Sequence, residues 1–201
     1  MRNQAVTPTL ASEDQMRADI YALVGSLLFA TPSKESLANL QSLSGDESEM
    51  GRAFDALSKL AASTDVGTAR REYDDLFIGM GRGELLPFGS YYLTGFLNEK
   101  PLAKLRNSMR ELGIARNEEV KEPEDHIGSL FEMMAGLIVG RYGEPLNLAG
   151  QKEFFGTHIE PWAGHFFRDL EAAESSRLYQ PVGTVGRIFV EIETDAFSMG
   201  A

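Results

Sequence analysis

The chain contains no cysteine among its 201 residues. This absence excludes disulfides, thiolate nucleophiles and cysteine-ligated iron–sulfur clusters, and it removes most kinds of structural zinc site. A chain without cysteine fits a reducing compartment, so we expect a cytoplasmic protein.

Long apolar runs are also missing. The longest one, from Met133 to Gly140, is far shorter than the roughly 20 residues that a helix needs to cross a bilayer. The first residues, Met-Arg-Asn-Gln-Ala-Val-Thr-Pro, lack the apolar core of a secretory signal peptide. We therefore expect neither export nor stable membrane insertion.

Basic residues are scarce, with 19 Lys and Arg against 30 Asp and Glu, and the net charge is −11. Such a charge repels nucleic acid and anionic membranes and attracts cationic partners. We expect no nucleic-acid partner and consider basic peptides as ligands, although an acidic surface also serves solubility. The length favours one domain over residues 1–201, with residues 1–11 as a flexible tail.

Apolar residues recur at helical spacing along most of the chain. Ser12 and Gln15 form a capping-box pattern, which predicts that the first helix begins at Ser12 and runs to Thr31. A short second helix is predicted around Leu37, and the third and fourth cover about 50–60 and 66–77. The segment Gly79–Gly89, with four glycines and a proline, predicts a loop.

Prolines and glycines divide the second half of the chain. Pro101 is expected to begin a helix that Gly113 ends, and Pro123 to begin the most apolar helix, which runs to about Tyr142. Pro161 precedes a helix that carries Trp162. The last segment fits a helix or a strand, and a single strand would have no partner. The whole pattern predicts an all-α, single-domain helical bundle.

Motifs for catalysis and metal binding are weak. The loop GMGRGELLP follows a helix and lacks a Gly-Lys-Ser/Thr end, so it does not predict a phosphate site. Ser90 lacks the G-x-S-x-G frame and is expected to be a helix N-cap. His126, His158 and His165 do not form the spaced pairs of a metal site. We expect no catalytic residue, no metal and no cofactor.

The segment EPEDH, Glu122–His126, leads into the most apolar helix, and two interpretations of it stay open. Glu124 and Asp125 could serve only the positive end of that helix, or the segment could offer polar contacts to a ligand. If the second holds, Asp125→Ala or His126→Ala should weaken ligand binding and leave the melting temperature nearly unchanged. A large drop in melting temperature would favour capping.

Three blocks in order carry a family resemblance: YDDLFIGMGRGELLPFGSYYLTG, then EPEDHIGSLFEMM, then FFGTHIEPWAGHFFRDL. Together they resemble the TorD/DmsD/NarJ-type chaperones that mature bacterial molybdoenzymes. The family pattern is matched by Tyr73, Leu76, Phe77, Gly79, Pro87, Ser90, Tyr92, Glu122, Pro123, Asp125, His126, Glu132, His158, Pro161 and Trp162. Several relatives have tryptophan where Tyr73 stands, which leaves the client open.

The resemblance implies an all-α cytoplasmic chaperone. Its partner would be a molybdoenzyme catalytic-subunit precursor, for example of a formate dehydrogenase or a DMSO/TMAO-type reductase, held by its twin-arginine signal peptide until the cofactor is inserted. The resemblance also implies that the chain is either a monomer or a homodimer formed by domain swapping. The hinge of a swapped dimer would lie in Gly113–Lys121.

A twin-arginine peptide joins two arginines to an apolar stretch, so its receptor needs carboxylates beside a hydrophobic groove. We expect the carboxylates from Glu122, Glu124 and Asp125. Further site residues are expected to line the apolar part or to add polar contacts: Tyr73, Phe77, Pro87, Phe88, Ser90, Tyr91, Tyr92 and His126. Two alternatives stay open, a helical interaction scaffold without peptide specificity and a small nucleotide-binding enzyme.

Overall fold

The computed structural model describes residues 10–117 and 119–199, and the regular elements in these ranges are all helical. A π-helical turn, Asp74–Ile78, continues the fourth helix. The α-helices are α1 Ser12–Phe29, α2 Lys34–Gln41, α3 Glu49–Ser63, α4 Val66–Tyr73, α5 Gly89–Thr94, α6 Lys100–Glu111, α7 Ile127–Val139, α8 Leu148–His158, α9 Glu160–Ala172 and α10 Tyr179–Met199.

The prediction of an all-α fold is confirmed, and the ambiguous last segment is the helix α10. Of the tail predicted for residues 1–11, residues 1–9 lie outside the described ranges. No helix in those ranges has the length and apolarity needed to span a bilayer.

Helix α7 lies at the centre of the bundle, as its apolar pattern predicts. Ten of its 13 residues are buried, so it presents almost no polar face to water. Its closest neighbour is α1, and the two backbones meet at a pair of glycines. A Cβ atom on Gly128 would lie 2.9 Å from the carbonyl oxygen of Gly25, and a Cβ on Gly25 would lie 3.1 Å from that of Gly128. Only residues without side chains permit this approach.

Aromatic rings join α1, α7 and α10. The ring centroid of Tyr21 lies 5.0 Å from that of Phe131 and 4.6 Å from that of Phe189, both in edge-to-face geometry. Each such contact adds about 0.5–1.5 kcal/mol to the burial of the rings. The buried cluster extends from Ala18 to Val190, and the single domain stays a prediction.

Helix α1 begins at Ser12 as predicted, but its predicted cap is wrong, and so is the predicted start of α7. The carbonyl of Ala11 accepts the amide of Gln15 (3.0 Å), so the N-cap of α1 is Ala11 and the expected capping box at Ser12 does not form. Pro123 does not begin α7, because residues 123–126 form a turn in which the amide of His126 donates to the carbonyl of Pro123 (3.2 Å), and the helix starts only at Ile127.

The ends of α6 and α7 depend on glycines. Gly113 has φ 70° directly after α6, as predicted. Helix α7 ends at Val139, three residues before the predicted end, because Gly140 adopts φ 76° and its amide donates to the carbonyl of Gly136. Positive φ favours glycine and terminates a helix.

Candidate functional site

The loop before α5 and the turn before α7 meet as two antiparallel strips of backbone. The amide of Gly89 donates to the carbonyl of Asp125 (2.9 Å), and the amide of Ile127 donates to the carbonyl of Pro87 (2.8 Å). The first two blocks of the family pattern, which are separated in sequence, therefore form one piece of structure.

Backbone hydrogen bonds hold the glycine-rich loop that precedes this contact. The amide of Gly79 donates to the carbonyl of Asp74 (2.7 Å), and the amide of Leu85 donates to that of Leu76 (2.8 Å). These N–H groups are used inside the chain and are not free to bind a phosphate.

His126 is the N-cap of α7. Its Nδ1 accepts the amide of Gly128 (3.0 Å), and its ring packs edge-on against Phe88 at 5.2 Å and Phe29 at 6.0 Å. The side chain is only 4% exposed, and this burial lowers the pKa of His126 to about 4. The imidazole is therefore neutral near pH 7, with its proton on Nε2. His126, and not Glu124 or Asp125, is therefore the residue that caps α7, and the ligand-binding interpretation of the segment stays a prediction.

Because of this histidine, the protein should become less stable as the pH is lowered. Its pKa is about 4 in the folded chain and about 6.5 when unfolded, so the unfolded chain binds more protons between these values. The contribution is full above pH 6.5 and is lost as pH falls towards 4. From pH 7 to pH 5, we expect His126 alone to account for a loss of about 2 kcal/mol in unfolding free energy, measured by urea denaturation as the difference from a variant without this histidine.

The control for this pH effect is His126→Asn, because asparagine is a good N-cap that does not titrate. His158, whose pKa burial also lowers to about 4, is present in both chains and cancels in the comparison. The variant should therefore show a flatter pH profile than the unmodified chain. Parallel profiles would contradict the assignment of this pH dependence to His126.

Asp125 joins α5 to the turn before α7. One carboxylate oxygen, Oδ2, accepts the amide of Ser90 at 2.7 Å and also its hydroxyl. The prediction that Ser90 is the N-cap of α5 is wrong, because the N-cap is Phe88, two residues earlier, and the carboxylate that accepts the Ser90 amide comes from Asp125. The other oxygen, Oδ1, is buried without a hydrogen-bond partner.

Glu124 is already paired within the chain. Its carboxylate accepts hydrogen bonds from Arg106, the shortest from Nη2 at 2.8 Å, and the Nε of Arg116 lies 3.3 Å away. Burial acts to raise the pKa of Glu124, but the hydrogen bonds from Arg106 and the two positive charges outweigh it and lower the pKa. Sequence patterns missed both arginines, because no helical spacing connects them to Glu124.

Four of the predicted apolar residues belong to the core. Tyr73, Phe77, Pro87 and Phe88 are all buried. The Tyr73 hydroxyl donates to the carbonyl of Phe29 (3.1 Å), and its ring lies 5.0 Å from that of Phe77. These side chains fix the loop before α5 and offer no open surface, so a direct contact with a peptide stays a prediction for them.

Tyr91 and Tyr92 are partly exposed and lie beside α9. The Tyr92 hydroxyl donates to Asp169 Oδ2 (2.8 Å), and its ring lies 5.4 Å from that of Trp162. Burial raises the pKa of Tyr92. The hydroxyl of Tyr91 accepts a hydrogen bond from Arg82 (2.7 Å). Trp162 brings the third block of the pattern against the first.

A groove of about 280 Å³ lies between α6, the segment after it and α7, and we call it the linker groove. Its apolar walls are Phe29, Met109, Ile114, Ala115, Val120, Met133 and Tyr142, and its polar residues are Arg116, Asn117, Glu122, Glu124, Ser129 and Glu132. Of the predicted site residues, only Glu122 and Glu124 line it. Glu122 is exposed and takes part in none of the ion pairs among residues 10–117 and 119–199.

A second pocket, of about 310 Å³, lies on the other side of Asp125, between α5, α6 and α9. Trp162 and Leu130 contribute apolar surface to it, and Lys100 and Lys104 are its cations. The turn before α7 thus separates a groove lined by three glutamates and one arginine from a pocket lined by two lysines and Asp125. A cationic ligand is attracted to the first and repelled by the second.

Comparison with known proteins gives one consistent result. Residues 44–168, more than half of the chain, match the family described as nitrate reductase delta subunit. The chaperone protein TorD of Vibrio cholerae serotype O1 is 27% identical, over 89% of this chain and 90% of that protein. The TorD of Aliivibrio fischeri is 31% identical, over 65% of this chain and 67% of that protein.

The fold has a counterpart among solved structures. A candidate redox enzyme maturation protein from Archaeoglobus fulgidus superposes with a TM-score of 0.58 at 17% identity, over 94% of this chain and 99% of that one. The curated relatives are named as chaperones and not as enzymes, in agreement with the prediction that the chain is not an enzyme. The resemblance noted in the sequence is thus confirmed, and the chain belongs to the nitrate reductase delta subunit family, together with chaperones of the TorD type.

Proposed function

We propose that this chain binds the twin-arginine signal peptide of a molybdoenzyme catalytic-subunit precursor in the cytoplasm and retains the precursor until its cofactor is inserted. The coarser function, a chaperone in redox-enzyme maturation, follows from the family and its TorD relatives. The client segment and the compartment are the proposal. Formate dehydrogenases and DMSO/TMAO-type reductases are the candidate clients.

The observation that supports this proposal most is the composition of the linker groove. Its apolar walls adjoin the carboxylate of Glu122, which no cation of the described residues neutralises. A guanidinium group donates forked hydrogen bonds that match a carboxylate, and an apolar stretch buries its side chains against methionine and phenylalanine. The net charge of −11 attracts such a cationic segment over a longer range.

The other predicted site residues take different parts in this proposal. Glu122 contacts the client directly, whereas Ser90, Asp125 and His126 hold the turn that presents it. The buried side chains of the first block keep the loop before α5 in place, and Tyr92 packs against Trp162, which lines the second pocket, with Tyr91 beside it. This division follows the burial of each side chain, and the binding role of the set remains a proposal.

The oligomeric state belongs to the proposal as well. A monomer and a domain-swapped homodimer both remain, with a hinge in Gly113–Lys121. The described residues of this segment form no helix, and a hinge needs such an irregular stretch of backbone. The function proposed here needs no cofactor in the chaperone itself.

Glu122→Gln tests the direct contact. We expect it to weaken binding of a twin-arginine peptide about tenfold, because a neutral amide loses the charge-assisted hydrogen bonds to a guanidinium. Isothermal titration calorimetry measures the change. Glu119→Gln is the matched control, since it removes the same charge from the same segment but does not line the groove. Equal losses in both variants would contradict a specific contact at Glu122.

A further inference from the structure

Glu124 combines a buried carboxylate with exposed partners. Its side chain is 8% exposed, while those of Arg106 and Arg116 are 45% and 50% exposed. Two guanidinium groups of the chain therefore converge on one carboxylate at the edge of the linker groove. This is the same chemistry that a twin-arginine segment would bring to the groove.

We propose that Arg106 and Arg116 are an internal substitute for the client's arginines, and that a client guanidinium displaces Arg116, the less firmly held of the two, from Glu124. This inference rests on the proposed function and specifies how the same site is regulated. The free chain keeps its most buried groove carboxylate paired, and the client must compete for it.

The two internal arginines are held unequally. Arg106 projects from α6 and places three hydrogen bonds of 2.8–3.2 Å on Glu124. Arg116 lies in the segment after α6 and has one ion-pair contact, of 3.3 Å. Exchange of Arg116 for a client arginine replaces one guanidinium by another and leaves the carboxylate paired throughout. It therefore avoids the large cost of an unpaired buried charge.

The exchange also couples charge to apolar contact. Arg116 ties the segment after α6 to Glu124, and the same segment supplies Ile114 and Val120 to the walls of the groove. Release of Arg116 removes a tether across the groove that the client's apolar stretch would occupy. A client guanidinium can place forked hydrogen bonds on Glu124 where Arg116 makes a single contact, whereas a lysine ammonium is a point donor, so the exchange favours arginine.

Arg116→Gln in the full chain tests this competition by calorimetric titration with a twin-arginine peptide. We expect binding about three to ten times tighter than that of the unmodified chain, because one internal competitor is gone. Arg110→Gln is the control: it removes an equal charge from α6, where Arg110 contacts only Asn107 through its side chain among the described residues. That variant should change the affinity less than twofold.

A second background separates competition from general charge effects. In a Glu124→Gln chain, Arg116→Gln should no longer tighten binding, since there is no carboxylate to release. An equal gain in both backgrounds, or no gain over Arg110→Gln, would overturn the inference. Should Arg116→Gln unfold the chain, Arg116→Lys keeps the charge but replaces the guanidinium by an ammonium, and a tightening smaller than threefold but above that of Arg110→Gln is expected.

The proposed function and the inference fail in different ways. If the unmodified chain binds the peptide through Glu122 but Arg116→Gln brings no gain, only the internal competition is wrong. If neither the unmodified chain nor any variant binds the peptide, both are wrong.

Discussion

We expect Glu193→Ala to lower the free energy of unfolding by about 3 kcal/mol, because it breaks a buried ion pair. Glu193 is 1% exposed on α10. Its carboxylate accepts two hydrogen bonds of 2.8 Å from Arg17 and one of 2.9 Å from the hydroxyl of Tyr21. Removal leaves a largely buried guanidinium and a buried hydroxyl without this partner.

The size of this effect follows from what Arg17 retains. Its side chain is partly exposed and still reaches Asp14 at 2.8 Å and Gln151 at 3.0 Å. The charge therefore keeps some solvation, which places the loss near the lower end of the roughly 3–5 kcal/mol that broken buried pairs cost. Urea denaturation gives the value.

The matched control is Glu191→Ala on the same helix. Glu191 is more than half exposed and pairs with Arg187 at 3.4 Å, so we expect a change below about 1 kcal/mol. Similar losses in the two variants would show that burial of Glu193 does not matter, contrary to the structure.

The second large effect is expected for Asp125→Ala, at about 2–4 kcal/mol. Without the carboxylate, the amide and the hydroxyl of Ser90 both lose their acceptor. Each buried polar group without a hydrogen-bond partner lowers the free energy of unfolding by about 1–3 kcal/mol. The lost contact also joins α5 to the turn before α7. The melting temperature should therefore drop clearly, in contrast to the nearly unchanged value expected for a purely ligand-binding Asp125.

Ser90→Ala divides this effect. It removes only the hydroxyl and leaves the hydrogen bond from the Ser90 backbone amide to Asp125, so we expect a loss of about 1 kcal/mol in the free energy of unfolding. Thermal and urea unfolding of the two variants measure both losses. A stability of Asp125→Ala equal to that of the unmodified chain would show that this hydrogen bond does not hold α5 in place.

The sequence predicts the helices better than their ends. The apolar stripe from Ile127 to Ile138 has a strong helical period, and burial of α7 follows from it. Pro123 is a local signal for a helix start, but the chain makes a turn at residues 123–126 that is hydrogen-bonded to the distant loop at Pro87 and Gly89, and α7 starts only after it. Tertiary hydrogen bonds of this kind leave no mark on the local pattern.

The sequence predicts where the candidate site lies, but it does not predict which side chains contact one another there. Resemblance brings the loop before α5 and the EPEDH turn together, and the structure shows them hydrogen-bonded. Which carboxylate faces outward depends on partners far away in sequence. Asp125 accepts hydrogen bonds from Ser90, and Glu124 forms an ion pair with Arg106, so Glu122 is the carboxylate of this turn that remains exposed.

Arginine recognition is the central claim, and calorimetric titration of the unmodified chain tests it most directly. Two peptides of equal charge and length are needed, one a twin-arginine signal peptide and the other with both arginines replaced by lysine. We expect the arginine peptide to bind at least about tenfold more tightly, because only guanidinium groups match the carboxylates with forked hydrogen bonds. Equal affinity for the two peptides would contradict the proposed function.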